Sequence, residues 1–195
     1  GGFSFVVPTE FVDLPSRGRY YPEGHPLHGQ DTIEIRQMTA KEEDILTSRT
    51  LLKKGIALDR VLQNIVVDKR IDVENMLTGD RNAILVAMRT SGYGAIYETK
   101  VNCPSCGVNQ SHKFNLGELV PFYDGKDLDV VNNDDGTFNV ILPQTKVNVR
   151  FKLLTGYDES AISNAKEANK KRKVEEKNVT LQLQNIVVFS LWYFD

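Results

Sequence analysis

Cys103-Pro104-Ser105-Cys106-Gly107 has the residue types and spacing most capable of chemistry. A Cys-Pro-x-Cys-Gly turn aims two thiolates at one point, and the glycine takes the tight backbone behind them, as in a zinc knuckle. One knuckle supplies two ligands and a closed structural zinc site needs four. The chain has no other cysteine, so the remaining ligands would have to be histidines, of which there are three: His25, His28 and His112. His25-Pro26-Leu27-His28 has ligand-like spacing, and zinc held by Cys103, Cys106, His25 and His28 would pin the N-terminal arm to the cysteine turn. Two alternatives stand beside this: a knuckle-shaped turn without metal, or one whose missing half lies on a partner or a second copy. A redox pair is disfavoured, because no thioredoxin-like βαβ pattern surrounds the cysteines.

Catalytic signatures are lacking. There is no phosphate-binding loop, no Ser/His/Asp order in a recognisable setting and no dinucleotide fingerprint. Gly92-Tyr93-Gly94 follows a predicted helix and reads as a turn. Asp13, Asp31, Glu42, Glu43 and Asp44 could form an acidic cluster, but carboxylates in a first helical turn account for the last three. Lys166 to Lys177 concentrates basic residues without the interleaved aromatics of a single-strand stacking platform, so it reads as a solvated helix face. The whole chain carries Lys+Arg 24 against Asp+Glu 26, a net charge of -2 that argues against a nucleic-acid or membrane coat. Two cysteines exclude a secreted disulfide scaffold, and the opening residues lack a signal peptide's basic start, so a reducing cytosol is the expected compartment. No apolar run reaches membrane-spanning length.

These residues must be positioned by an α+β fold. Residues 1–31 carry Pro8, Pro15, Pro22 and Pro26 and read as an extended arm with turns, lying either on the chain's own body or on a partner. Tyr20 and Tyr21 in this arm are candidate partner-binding residues, as are Trp192 and Phe194 in the aromatic C-terminal stretch. From Thr32 the alternation of Ile33 and Ile35 with Glu34 and Arg36 predicts a half-buried strand. Thr39-Ala40-Lys41-Glu42 is a capping box that starts a helix running to about Leu52, with Gly55 after it and a second helix over Leu58 to Val67. A further apolar helix starts at Gly79-Asp80 and ends near Gly92 and Gly94. Strands are then predicted at Tyr97 to Val101, His112 to Leu116, Asn139 to Leu142 and Val147 to Leu153.

Leu62-Gln63-Asn64-Ile65-Val66-Val67 recurs unchanged as Leu183-Gln184-Asn185-Ile186-Val187-Val188. The flanks agree: Ile33 to Thr39 aligns with Val149 to Thr155, and the acidic pairs Glu42-Glu43 and Asp158-Glu159 follow the two threonines at equal distance. The pattern predicts an internally duplicated strand–helix–helix unit. Residues 32–120 form the first copy, with the cysteine hairpin as an insertion, and residues 121–195 a second, incomplete one. The competing reading is that the hexapeptide is merely a good apolar helix face.

Taken in order, Val7 to Gly18, Tyr21 to Leu27, Met38 to Leu46, Gly79 to Leu85, Gly92-Tyr93-Gly94 and Cys103 to Gly107 resemble the baseplate hub assembly proteins of T-even-type contractile-tailed bacteriophages. The resemblance implies a non-enzymatic protein of tail morphogenesis, an assembly chaperone or a component of the central hub. It would bind other hub proteins, with no small-molecule substrate, in the host cytoplasm or the virion tail baseplate. It also implies a second cysteine pair after the second repeat, which this sequence does not contain. A zinc-ribbon-like nucleic-acid module is the alternative.

Overall fold

The computed structural model describes residues 7–121, 129–133 and 135–171. It is an α+β protein with three small antiparallel sheets. No helix among the described residues is long and apolar enough to cross a membrane.

The first sheet pairs β1 (Thr9–Asp13) with β2 (Thr32–Arg36), setting Val12 opposite Ile33. The proline-rich stretch therefore lies on the chain's own body. Its prolines and glycines turn it back across the core, where Leu14, Tyr21 and Leu27 are buried. Gly18 makes this possible. Its φ is +66°, and a Cβ there would stand 2.4 Å from both the Gln30 nitrogen and the Leu27 oxygen.

After β2 come α1 (Ala40–Thr47), α2 (Arg49–Lys53) and α3 (Ala57–Ile65). The sequence predicts one helix through Leu52, whereas the chain breaks at Ser48, which is extended at φ −69° and ψ 106°. The Thr47 hydroxyl donates back to the Glu43 and Asp44 carbonyls, the local competition that weakens helix ends. The α3 helix turns Val61, Leu62 and Ile65 inward, all fully buried against Ile33 and Ile35. This burial is the main apolar gain of the first unit, at about 25 cal/mol per Å² of apolar surface.

A 3-10 turn at Val73–Asn75 leads to α4 (Thr78–Tyr93), which ends where Gly94 takes φ +83°. Then β3 (Ile96–Asn102) and β4 (Asn109–Asn115) form the cysteine hairpin, followed by a sheet of β5 (Val130–Asn132), β6 (Thr137–Ile141) and β7 (Asn148–Lys152) in that order. The β5 strand is not anticipated from sequence, being only three residues long. Last comes α5 (Gly156–Lys171).

The two aligned corners share their local chemistry. At the first, the Glu42 carboxylate accepts from the Thr39 amide at 2.9 Å and hydroxyl at 2.7 Å and is forked by Arg36, 2.7 Å to Oε1 and 3.0 Å to Oε2. At the second, Asp158 accepts from the Thr155 amide and hydroxyl, both at 3.1 Å, and pairs with Lys152 at 2.7 Å. The second hexapeptide, residues 183–188, lies outside the described residues.

Candidate interaction surfaces and the cysteine hairpin

The cysteine turn closes the β3–β4 ladder one step beyond the Asn102–Asn109 pair. The Cys103 amide donates to the Val108 carbonyl at 2.9 Å and the Gly107 amide to the Cys103 carbonyl at 2.8 Å, with Gly107 at φ +71°. Both thiols are free, with Cys106 exposed. Amides of Cys106 and Ser105 point at the Cys103 sulfur and, with the Cys106 side chain, hold its pKa below the ordinary thiol value.

The histidines are engaged elsewhere. His25 stacks on Tyr21 with ring centroids 4.5 Å apart, and its Nδ1 accepts from the Leu27 amide at 3.0 Å. Burial draws its pKa down, partly opposed by Asp72, which suits that acceptor role. His28 Nδ1 lies 2.7 Å from the Tyr21 carbonyl oxygen, and His112 packs edge-on to Phe114 within β4. Among the described residues, which include every Cys and His of the chain, no three His, Cys, Asp or Glu side chains converge on a metal position. The expected Cys103, Cys106, His25 and His28 set is not brought together: the arm histidines sit at the Tyr21 turn and the thiols at the far end of the β3–β4 hairpin. Two thiols alone do not make a closed zinc site.

Tyr21 is likewise not a surface residue. It is 5% exposed, and its hydroxyl donates to Asp80 at 2.7 Å while accepting from the Leu77 amide at 3.1 Å. Asp80, fully buried in the first turn of α4, also accepts from the Ser16 amide at 2.9 Å and hydroxyl at 2.6 Å. Burial, then the Asp80 charge, drives the Tyr21 pKa far above its ordinary value. Beside this knot, Arg81 donates to the Val73 carbonyl and pairs with Asp59. From sequence Asp80 reads only as a helix start; the signal for its buried role is a carboxylate next to an arginine at the head of an apolar helix.

What remains exposed is apolar strand surface. Ile96, Tyr97 and Val108 face outward on a hairpin whose two faces are both largely open. Arg89 ties the hairpin's root to α4, donating to the Gly94 carbonyl at 2.9 Å and lying 5.2 Å from the centre of the Tyr93 ring. On the third sheet, register places Val130, Phe138, Val140, Val149 and Phe151 on one face. Phe138 is buried there, stacked on Phe151 and edge-on to Tyr20, both at 5.5 Å. Tyr20 is thus half-exposed at the rim of a 400 Å³ pocket shared with Leu77, Lys152 and Tyr157. A 640 Å³ open groove lies between α1, α2 and α3, lined by Ile45, Leu51, Arg60 and Asn64. Trp192 and Phe194 lie outside the described residues, as does the basic run beyond Lys171.

No curated protein and no solved structure matches this chain. One protein family does, described as T4 bacteriophage base plate protein, over residues 8–140. That span contains the Asp80 knot, the first strand–helix–helix unit and the whole cysteine hairpin, and it covers more than half of the sequence. On this match, with the motifs and the α+β fold that go with it, the chain belongs to the T4 bacteriophage base plate protein family.

Proposed function

We propose that the protein acts without catalysis, by protein–protein binding in phage tail morphogenesis, as an assembly chaperone or a component of the central baseplate hub. The observation that carries this reading is the β3–β4 hairpin, which holds Ile96, Tyr97 and Val108 in water inside the family-matched span. A two-stranded hairpin open on both faces is marginal alone, and apolar side chains left in water along it, at its root (Ile96, Tyr97) and its tip (Val108), are of the kind buried at interfaces. Burying one large aromatic side chain at such a contact contributes on the order of 2 kcal/mol. Mixed charge on the hairpin, with Glu98 beside Lys113 at 3.6 Å, suits a protein partner better than a polyanion. On this reading the chain meets its partners in the host cytoplasm during assembly and takes its place at the tail baseplate.

The test is affinity purification from infected cells of the natural sequence and of Tyr97→Ser/Val108→Ser. Other hub proteins are expected with the first and lost from the second, with the far-ultraviolet spectrum unchanged. Recovery of salt-sensitive nucleic acid instead, or undiminished partners on the double variant, would refute the proposal.

A further inference from the structure

Three contacts seat the first hexapeptide on its strand–helix corner. Ile35 bridges antiparallel to Val66, the Val67 amide donates to the Glu34 carbonyl at 3.1 Å, and the Asn64 side chain donates to the Glu42 carboxylate at 3.3 Å. The seat is the edge of β2 away from β1, together with the capping carboxylate. Ile33 and Ile35 are buried beneath it.

The second corner presents the same seat. Lys152–Asp158 occupies the positions of Arg36–Glu42, Thr155 that of Thr39, and Val149 and Phe151 those of Ile33 and Ile35. The difference is cover. Val149 and Phe151 are only half-buried, and β7 is the outer strand of its sheet, with no strand on its second edge among the described residues. An uncovered edge with apolar side chains is a template for another strand. The chain carries a second copy of the very six residues that cover the first seat, and it does so twelve residues past Lys171, a tether able to reach about 40 Å when extended.

We infer that Leu183–Val188 docks within the same chain on the outer edge and apolar face of β7, as Leu62–Val67 docks on β2. Val187 then faces Phe151, the Val188 amide donates to the Arg150 carbonyl, and the Asn185 side chain donates to Asp158. The docking closes the edge internally and stands whether or not the hairpin binds hub proteins.

Hydrogen exchange on the full chain tests it. Amides of residues 183–188 should exchange at least about tenfold slower than in an unstructured peptide, and Val187→Asp should accelerate residues 148–152 by a similar factor while leaving 32–36 unchanged. Exchange of 183–188 at unstructured rates, or no response of 148–152 to the substitution, overturns the inference. Should that variant not fold, an Arg150→Cys/Val188→Cys chain lacking Cys103 and Cys106 decides the matter. Facing residues of an antiparallel pair lie about 4.5–5.5 Å apart at Cα, within disulfide reach. Oxidation should give an intrachain disulfide in a monomer; none, or only an interchain one, refutes the docking.

Discussion

Replacing Asp80 by Ala removes the acceptor for three donors at once: the Ser16 amide, the Ser16 hydroxyl and the Tyr21 hydroxyl, at 2.6 to 2.9 Å. Hydrogen bonds to a charged acceptor contribute about 1.5–3 kcal/mol each, and a buried donor left alone loses its hydration as well. The three are not independent, since Ser16 sits near the surface at 9% exposed and can recruit water, so the expected loss is about 4 kcal/mol rather than the simple total. For a protein of this size, with a urea m-value of about 2 kcal/mol per molar, the unfolding midpoint should fall by about 2 M. Tyr21→Phe deletes one of the three bonds and strands the Leu77 amide, and should lower stability by about 1.5 kcal/mol. The double variant should destabilise less than the sum of the two by about 1 kcal/mol or more, because both singles break the same contact. A midpoint shift below about 0.5 M for Asp80→Ala, or additivity in the cycle, would show that this knot does not fasten the N-terminal stretch to α4.

Glu42 gives an acid-side prediction. Arg36 hydrogen bonding, aided by Thr39, holds its pKa at about 2 against an ordinary 4.5, so its contribution is complete above 4.5 and disappears as pH falls towards 2. That contribution is about 3 kcal/mol, and Glu42→Gln should flatten the pH dependence of urea unfolding between those limits; an unchanged acid limb would refute it. Gly18→Ala should destabilise by more than about 3 kcal/mol, because its Cβ meets rigid backbone, whereas Gly29→Ala, at φ +68° in open space, should lose only about 1 kcal/mol in the same denaturation assay.

The elements legible in the sequence are those whose determinants lie within one turn of chain. Thr39 and Glu42 announce α1, Gly94 ends α4, and the alternation around Ile33 and Ile35 marks β2, because capping, left-handed backbone and period-two burial are local properties. What could not be read depends on distant partners. Tyr21 reads as an interface aromatic until Asp80, far along the chain, takes its hydroxyl; His25 and His28 read as ligands until the turn that Tyr21 anchors holds them apart from the cysteine hairpin. Ser48 hides the break between α1 and α2, since its extended backbone follows from Thr47 bonding back to the helix. The cysteine hairpin was legible in shape and not in ligation, because two thiols fix a turn but not what completes it.

The start of α4 is fastened by a part of the chain made much later. The Thr78 amide donates to the Leu154 carbonyl at 2.8 Å, the Gly156 amide to the Met76 carbonyl at 3.1 Å, and Leu77 bridges to Thr155. Helix N-termini leave their first amides without intrahelical partners, so here one of those vacancies is filled only once residue 154 has been synthesised. On the ribosome, the first unit can collapse around Leu62 and Ile65 early, but the mouth of α4 stays open until the third sheet emerges. The fold thus carries its own order of completion, in which the cysteine hairpin is displayed before the molecule that displays it has finished closing.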